Sequence, residues 1–575
     1  MRTVRFNRRE FFQGNGTKIC GAIVLTLVLH ISIGCKPLSA PPMADNSPAA
    51  VMPEAVRENL LAGAMEVLDH LDSYEESAAF TQVFDRLNQW SHSGALRAGS
   101  ADGWQCDPLL STLSERLKPM AKEEILSSSV FDAVDDIKTI RDQRWLADIA
   151  ASARGDALDE IEIAANLFQW TIRSLAITSD PPMVPSAATP GARWFLPGEI
   201  LLSGRASGAQ RAWIFLQLLR HAGLDGVMLA TGTAAGNNPR PWIPALISDG
   251  EAYLFEPTYG LPISGPGGKG IATARQAAAD RSILESLSFP DRPYPIGAAD
   301  IASLLILIDA EPWSLSRRMH ALDANLAGSK AIDLYVDATA LGKRAAQSLP
   351  STVGPEVGPE VGPEVGPEVG PEVGPEVGPE RIGLWEFPWE VLLQRRENAA
   401  NVNGAIRQEL AVMTVALAQP AAQGGRMEAR VIRPLYAARL RDFRGNLAGP
   451  EGAKISYLAA RPSNAAVREA LKQMPPQQAE AIKRLYEQMK EDATYWLGVA
   501  TLLEGDYETS VDYLDRMTLG SSASGAWTDA ARINLAQACM AMGRTEQAIK
   551  LLREDPSPQR FGSRIVANRL EKAPP

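Results

Sequence analysis

The residues that could do chemistry are sparse between positions 193 and 271. Arg240 and Glu256 lie sixteen residues apart, and Ser207 is the hydroxyl at the start of a very apolar helical stretch. Arginine stays protonated at any useful pH and cannot act as a general base. His221, fourteen residues after Ser207, lies several turns along the same predicted helix. A nucleophile needs a base within hydrogen-bond reach, so these residues predict no standard hydrolytic site.

The sequence around these residues has a recognisable framework. It reads GRASGAQRAWIFLQLLRHAGLDGVMLA from Gly204, and PRPWIPALISDGEAYLFEPTYGLPI after a polar gap. It resembles the core of the transglutaminase-like (papain-like) superfamily. In that family a nucleophilic Cys begins the helix, a His precedes the next strand's Trp by two residues, and an Asp opens an Asp-Pro-Thr. Those positions here hold Gly208, Arg240 and Glu256, so the resemblance implies the framework without the catalytic triad.

Two interpretations of Arg240 follow from this comparison. It could form an ion pair with Glu256 across the hairpin mouth, in place of the His–Asp contact. It could instead bind an anionic group, such as a peptide carboxylate, in the former substrate groove. The predicted binding residues are therefore Arg240, Glu256 and Trp242, although the position of Trp242 also suits core packing.

The expected function is a non-catalytic scaffold that binds a protein or peptide. The competing hypothesis is an active peptidase or amidase with an unusual nucleophile, for which Ser207 and Glu256 are the candidates. We expect no cofactor, and the cysteines and histidines do not have metal-ligand spacing. Cys106 and Cys539, far apart in the chain, are either two free thiols or a disulfide.

Local patterns predict an α+β core. Residues 208–222 form an apolar helix, residues 227–230 a short strand, and residues 242–248 and 251–255 the two strands of a hairpin around Asp-Gly. Pro244 cannot donate to a sheet ladder, so its strand is predicted to lie at an edge or to be bulged. A further strand is predicted at 331–336, which reads AIDLYV.

The C-terminal part resembles two tetratricopeptide repeats. The first copy places Leu497-Gly498, Gly505, Ser510 and Leu514 where that family packs its two helices. The second copy has Leu535-Ala536, Gly543, Ala548 and Leu552. The copies are offset by 38 residues rather than the usual 34 or so, and an unrelated pair of helical hairpins is the alternative. Repeats of this kind offer a concave surface to a partner.

The N-terminus is predicted to direct the chain to a bacterial cell envelope. Residues 1–18 are basic, residues 19–34 are apolar, and Cys35 follows, as in a secretory signal. Asn7–Gln13 resembles a twin-arginine signal, and Ser32-Ile-Gly-Cys35 resembles a lipobox in which Cys35 is lipidated. Lipoprotein, uncleaved membrane anchor and cleaved signal remain the three alternatives.

Charge argues against nucleic acid as a partner. The formal net charge is −11, and residues 1–35 carry five basic side chains and one acidic one, which leaves −15 on the remainder. An acidic chain with no other basic run does not attract phosphate backbones.

The predicted organisation has nine segments. They are a signal or anchor (1–35), a flexible tether (36–53), a helical region (54–155), a transglutaminase-like domain (156–290), an α/β extension (291–350), a linker ending in seven Val-Gly-Pro-Glu copies (351–380), a mixed connecting region (381–463), tetratricopeptide-like repeats (464–560) and a C-terminal tail (561–575).

Overall fold

The computed structural model describes residues 52–96, 103–182, 193–232, 239–350, 381–423, 426–472, 474–521 and 525–572. The predictions for the signal segment 1–35, for Cys35, for nearly all of the tether and for the linker 351–380 therefore concern residues outside the described ranges.

The N-terminal region is helical, as its spacing of apolar residues predicts. Its helices are α1 (Glu54–Asp69), α2 (Glu76–Trp90), α3 (Glu123–Leu126), α4 (Asp135–Ala153) and α5 (Glu160–Ser174). Asp159 begins α5 by accepting a hydrogen bond from the backbone N–H of Glu162 at 2.9 Å, which satisfies one of the free donors of the first turn. Helices α4 and α5 both pack against the central helix described next.

The central part is α+β, as predicted. Its elements are β1 (Ala176–Ile177), α6 (Pro197–Ser203), β2 (Arg205–Ala206), α7 (Gly208–His221), β3 (Asp225–Thr231), β4 (Arg240–Ser248), β5 (Glu251–Glu256), β6 (Leu261–Pro262), α8 (Ala274–Ala279), α9 (Ser282–Glu285), α10 (Ala298–Ile301), β7 (Leu305–Ile308), α11 (Arg317–Asn325), α12 (Ala338–Ala346) and β8 (Ile382–Leu384). Six strands form one mixed sheet in the order β6-β5-β4-β3-β7-β8. Only the pair β7–β8 of this sheet is parallel.

The hairpin β4–β5 confirms the prediction made from Asp-Gly. Asp249 has φ 50° and Gly250 has φ 72°, the left-handed pair that a two-residue type I′ turn requires. Strand β4 lies between β3 and β5, so the prediction of an edge strand at Pro244 is wrong. The alternative of a bulge is confirmed, because Pro244 faces Met228 where the register with β3 shifts.

The prediction of a strand at 331–336 is wrong. The segment carries no strand pairing. Its backbone N–H groups at Leu334 and Tyr335 instead donate to the carboxylate of Asp323 at 2.7 and 2.9 Å. The strand that pairs with β7 at the end of the sheet is β8. It comes from the segment that was predicted to be a connecting region.

The C-terminal part continues as helices. Its elements are α13 (Glu386–Glu397), α14 (Ala399–Glu409), β9 (Leu417–Gln423), β10 (Arg426–Ile432), α15 (Pro434–Phe443), α16 (Ala453–Ala459), α17 (Asn464–Leu471), α18 (Pro476–Leu503), α19 (Tyr507–Val511), α20 (Thr528–Ala541), α21 (Thr545–Arg553) and α22 (Arg560–Lys572). Strands β9 and β10 form a separate antiparallel pair. The segment 561–575, expected as a tail, is therefore mostly the packed helix α22.

One buried apolar cluster joins the three parts of the chain. It includes Leu61 of α1, Phe215 of α7, Trp496 of α18 and Ala567 of α22. A second cluster contains β3 to β5 side chains together with Phe561 of α22. The N-terminal helices, the sheet and the C-terminal helices thus bury one another's apolar surface, and this burial is the main favourable term in folding.

Helix α22 should therefore contribute to the stability of the sheet. Phe561 is buried and its ring centroid lies 5.9 Å from that of Tyr259 and 5.4 Å from that of Phe289. We expect Phe561→Ala to lower the free energy of unfolding by about 3–5 kcal/mol, as loss of a buried phenyl ring does. Urea denaturation measures the change, and Leu158→Ala, at an 89% exposed site, is the control. Equal effects of the two substitutions would contradict a structural role for α22.

Candidate functional site

Helix α7 begins at a capping box. The Ser207 side chain accepts from the backbone N–H of Gln210, and the Gln210 side chain accepts from the backbone N–H of Ser207 at 3.1 Å. The Gln210 side chain also donates to the carbonyl of Phe195 at 3.1 Å. Ser207 is completely buried. Its hydroxyl oxygen therefore caps the N-terminus of α7.

The space beside Gly208 is filled by Thr258. A Cβ atom built on Gly208 would overlap the Thr258 hydroxyl oxygen. The first residue of α7 and the segment just after β5 are therefore in direct contact, and only a glycine allows this closeness. The position that resembles the family's nucleophile is thus occupied by a neighbouring hydroxyl.

Glu256 ends β5 in a fully protein-lined environment. Its Oε1 accepts from the backbone N–H of Thr258 at 2.9 Å, and its Oε2 accepts from the hydroxyl of Tyr294 at 2.6 Å. Burial raises the pKa of Glu256 above its ordinary range, and these hydrogen bonds oppose the rise. The Glu256 carboxyl group is therefore buried, and each of its oxygens accepts a hydrogen bond.

Trp242 joins Glu256 through Tyr294. The indole N–H of Trp242 donates to the Tyr294 hydroxyl at 2.9 Å, and that hydroxyl donates onward to Glu256. The structure thus brings together two of the predicted site residues. Sequence reasoning missed Tyr294, because it lies in a loop 38 residues after Glu256 and belongs to no motif with fixed spacing.

Arg240 does not join this group. It is exposed at the start of β4, where it pairs in register with Thr231 of β3. No ion pair links it to Glu256 in the described part of the chain. The predicted Arg240–Glu256 ion pair is therefore wrong, because the buried carboxylate is hydrogen-bonded by Tyr294 and Thr258 while Arg240 stays in solvent.

Arg211 and the C-terminal region close the site. The Arg211 guanidinium donates to the carbonyl of Pro257 at 3.1 Å and to the side chain of Gln559 at 2.7 Å. Gln559 lies against Gly260, where a Cβ atom would come within 2.6 Å of the amide. Together with the packing of Phe561 on Tyr259, these contacts cover the segment that follows β5.

The remaining nucleophiles and bases lie elsewhere. Cys106 and Cys539 are both free, so the alternative of a disulfide is wrong, and burial raises the pKa of both thiols. His221 binds Gln143 at 2.8 Å, and fourteen residues of helix separate it from Ser207 by roughly 21 Å. Within the described ranges, no group of three or more His, Cys, Asp or Glu side chains is placed to hold a metal ion.

Comparisons with family models, with curated proteins and with solved structures find no match to this chain. A search of the described residues finds no helix with both the length and the apolar character needed to cross a membrane.

The raised pKa of Glu256 predicts a pH-dependent stability. A carboxyl whose pKa is higher in the folded than in the unfolded chain destabilises the fold as pH rises from about 4.3 through the folded pKa. Glu256→Gln removes this titration. We expect the urea midpoint of the variant, relative to the parent, to increase with pH over this window, because other groups titrate equally in both proteins.

The control is Glu115→Gln, at an exposed carboxylate, whose midpoint relative to the parent should stay nearly constant over the same window. A relative midpoint of Glu256→Gln that decreases with pH would mean that the fold depresses the pKa of Glu256.

Proposed function

We propose that this chain is a non-catalytic transglutaminase-like protein of the bacterial cell envelope that binds a protein or peptide. The observation that carries the proposal is the state of the three triad positions. Thr258 fills the space beside Gly208, Tyr294 donates a hydrogen bond to Glu256, and Arg240 is exposed. A thiol–imidazole–carboxylate site needs all three groups in mutual reach.

The framework around these positions supports the transglutaminase-like part of the proposal. An apolar central helix, α7, begins in contact with the segment that follows β5. Strands β3, β4 and β5 follow in antiparallel order beside it. This framework supports the proposed fold only, since proteins that share a fold can differ in chemistry.

The envelope part of the proposal depends on residues 1–35 alone. A basic segment, sixteen apolar residues and Cys35 form the proposed signal, and lipidation of Cys35 would tether the folded part to a membrane outside the cytoplasm. The Pro- and Ala-rich residues after Cys35 would give that tether its reach.

The C-terminal hairpins supply the proposed binding surface. Gly505 and Gly543, with φ 79° and 70°, end the first helices of two hairpins. Gly498 allows Leu514 to approach the backbone of α18, since a Cβ there would lie 2.6 Å from the Leu514 side chain. Close helix pairs of this kind support a tetratricopeptide-like arrangement, which presents grooves to extended partners.

A groove of about 350 Å³ lies among these helices, and we call it the repeat groove. Its lining residues are Arg461, Asn464, Glu487, Lys490, Glu491, Thr494, Met517, Thr518, Ser521, Gly525, Ala526, Trp527 and Thr528. Trp527 is stacked on Tyr495 with ring centroids 4.3 Å apart and donates to Asp492 at 2.7 Å. Trp527 is buried and supports the groove from below, and the charges of both signs that line the groove suit a peptide of mixed charge.

A charge reversal in the repeat groove should weaken partner binding. Peptides are first selected from a displayed library on the full chain, and their affinities are then measured by fluorescence anisotropy. We expect Lys490→Glu to weaken the selected peptides by at least about tenfold, as loss of an interfacial charge pair does. Lys472→Glu, at an exposed ion pair on α17 outside the groove, is the matched control. Equal affinities of both variants would place the binding surface elsewhere.

The competing hydrolase hypothesis makes a distinct prediction about Ser207. A fluorophosphonate probe labels a serine whose hydroxyl is activated by a base. We expect the native chain to show no stoichiometric labelling of Ser207, because this side chain is buried and caps α7. Peptide mass spectrometry of the labelled protein provides the measurement. Labelling of Ser207 that disappears on Ser207→Ala would overturn the non-catalytic proposal.

A further inference from the structure

A second cavity lies apart from Glu256 and its neighbours and from the repeat groove. It has a volume of about 230 Å³ and is bounded by α4, the start of α6, α7, residues 311–313 and the end of α13. We call it the α4 cavity. It shares no lining residue with the triad positions or with the repeat groove.

The inner end of the α4 cavity carries a buried carboxylate. Glu311 and Trp213 both line the cavity and are each 1% exposed. Oε1 of Glu311 accepts from the indole N–H of Trp213 and from the side-chain amide of Gln217, both at 2.9 Å. Its Oε2 is equally buried and has no hydrogen-bond partner among the described residues. A buried acceptor without a donor is costly.

Among the described residues, no cation forms a hydrogen bond or an ion pair with Glu311. Arg220, the nearest guanidinium on α7, donates to the carbonyl and the carboxylate of Asp309 instead. Glu311 forms no ion pair within the described ranges. Burial raises the pKa of Glu311, and the charge of Arg220 opposes the rise.

The charges on the cavity wall pair with one another. The four pairs are Arg141 with Asp142, Arg318 with Asp136, Arg395 with Glu199, and Arg396 with Asp135. Burial raises the pKa of Asp142, and the charges of Arg141 and of Lys138, one helical turn earlier, oppose the rise. Of the charged groups that line the cavity, Oε2 of Glu311 and Nη1 of Arg395 are the buried atoms without a hydrogen-bond partner among the described residues.

The walls and mouth of the α4 cavity are largely apolar. Apolar and aromatic lining residues are Met120, Ile125, Val134, Leu196, Pro197, Trp213, Pro312, Trp313, Leu392 and Ala399. Ile125 and Val134 are 41% and 54% exposed, so they lie at the solvent end, opposite Glu311. At about 30 Å³ for each water-sized group, the cavity holds roughly eight non-hydrogen groups.

From this geometry we propose that the α4 cavity binds a small organic cation, a primary ammonium on an apolar body, with the ammonium donating to Oε2 of Glu311. The apolar body lies against Trp213 and Trp313, where contacts between the cation and the aromatic rings add to the binding free energy that burial supplies. A charge-assisted hydrogen bond in a dry site is among the stronger ones proteins form. This site is independent of the proposed partner binding in the repeat groove.

A competing anchor lines the same cavity. Arg395 donates to Glu199 at 2.6 Å through Nη2, while its buried Nη1 has no partner among the described residues. An anionic ligand would use Arg395 rather than Glu311. The test must therefore separate a cation from an anion of the same shape.

Three probes with the same phenylethyl body make this distinction, since they end in an ammonium, a hydroxyl or a carboxylate: 2-phenylethylamine, 2-phenylethanol and 3-phenylpropionate. Each is titrated into the full chain in detergent solution by isothermal titration calorimetry. The blank is the same titration into detergent solution without protein. We expect the amine to bind at least about tenfold more tightly than the alcohol, and the propionate not to exceed the alcohol. Tighter binding of the propionate would overturn the proposal in favour of Arg395.

Two variants locate the binding. Glu311→Gln keeps an acceptor for Trp213 and Gln217, and we expect it to abolish the tenfold preference for the amine while leaving the affinity for the alcohol unchanged. Val134→Trp blocks the exposed mouth and should weaken both the amine and the alcohol, whereas Val56→Trp, 43% exposed on α1, should weaken neither. An amine preference that survives Glu311→Gln, or binding that ignores Val134→Trp, would refute the site.

Discussion

The arrangement of this protein depends on one buried guanidinium, that of Arg211 on α7. It donates to the carbonyls of Leu175 at 2.6 Å and Pro257 at 3.1 Å, and to the side chain of Gln559 at 2.7 Å. Those acceptors belong to the end of α5, the segment after β5 and the region before α22. A fully buried arginine is tolerated only when its donors are satisfied, so the three segments must meet at α7 for the fold to form.

The burial of residues 256–260 follows from the contact of these three segments with α7. Because Gln559 and the neighbouring Phe561 lie over residues 256–260, the end of β5 faces protein rather than solvent. Thr258 can then contact Gly208, and Tyr294 can reach Glu256. The same packing that stabilises the sheet thus buries the end of β5. The repeat groove and the α4 cavity lie away from this closed region.

Much of the local structure could be predicted from short-range rules. The apolar helix beginning at Gly208, the type I′ turn at Asp249 and the bulge at Pro244 depend on near neighbours in sequence, whose geometry is set by backbone sterics and by missing donors. The same rules gave a wrong prediction for the segment of residues 331–336. Its apolar pattern suits a strand, yet strand β8 comes from beyond the repeat linker and pairs with β7 in its place, while Asp323 binds the segment's backbone.

The sequence by itself determined that the chain is α+β, that an apolar helix begins at Gly208, and that its C-terminal part is helical. These are consequences of residue identity and local periodicity. Only the tertiary structure decided that Glu256 binds Tyr294 and not Arg240, that α22 covers the site, and that Glu311 ends a cavity. Such contacts join residues tens to hundreds of positions apart, and burial makes their hydrogen bonds obligatory, but no local pattern in the sequence records which partner is chosen.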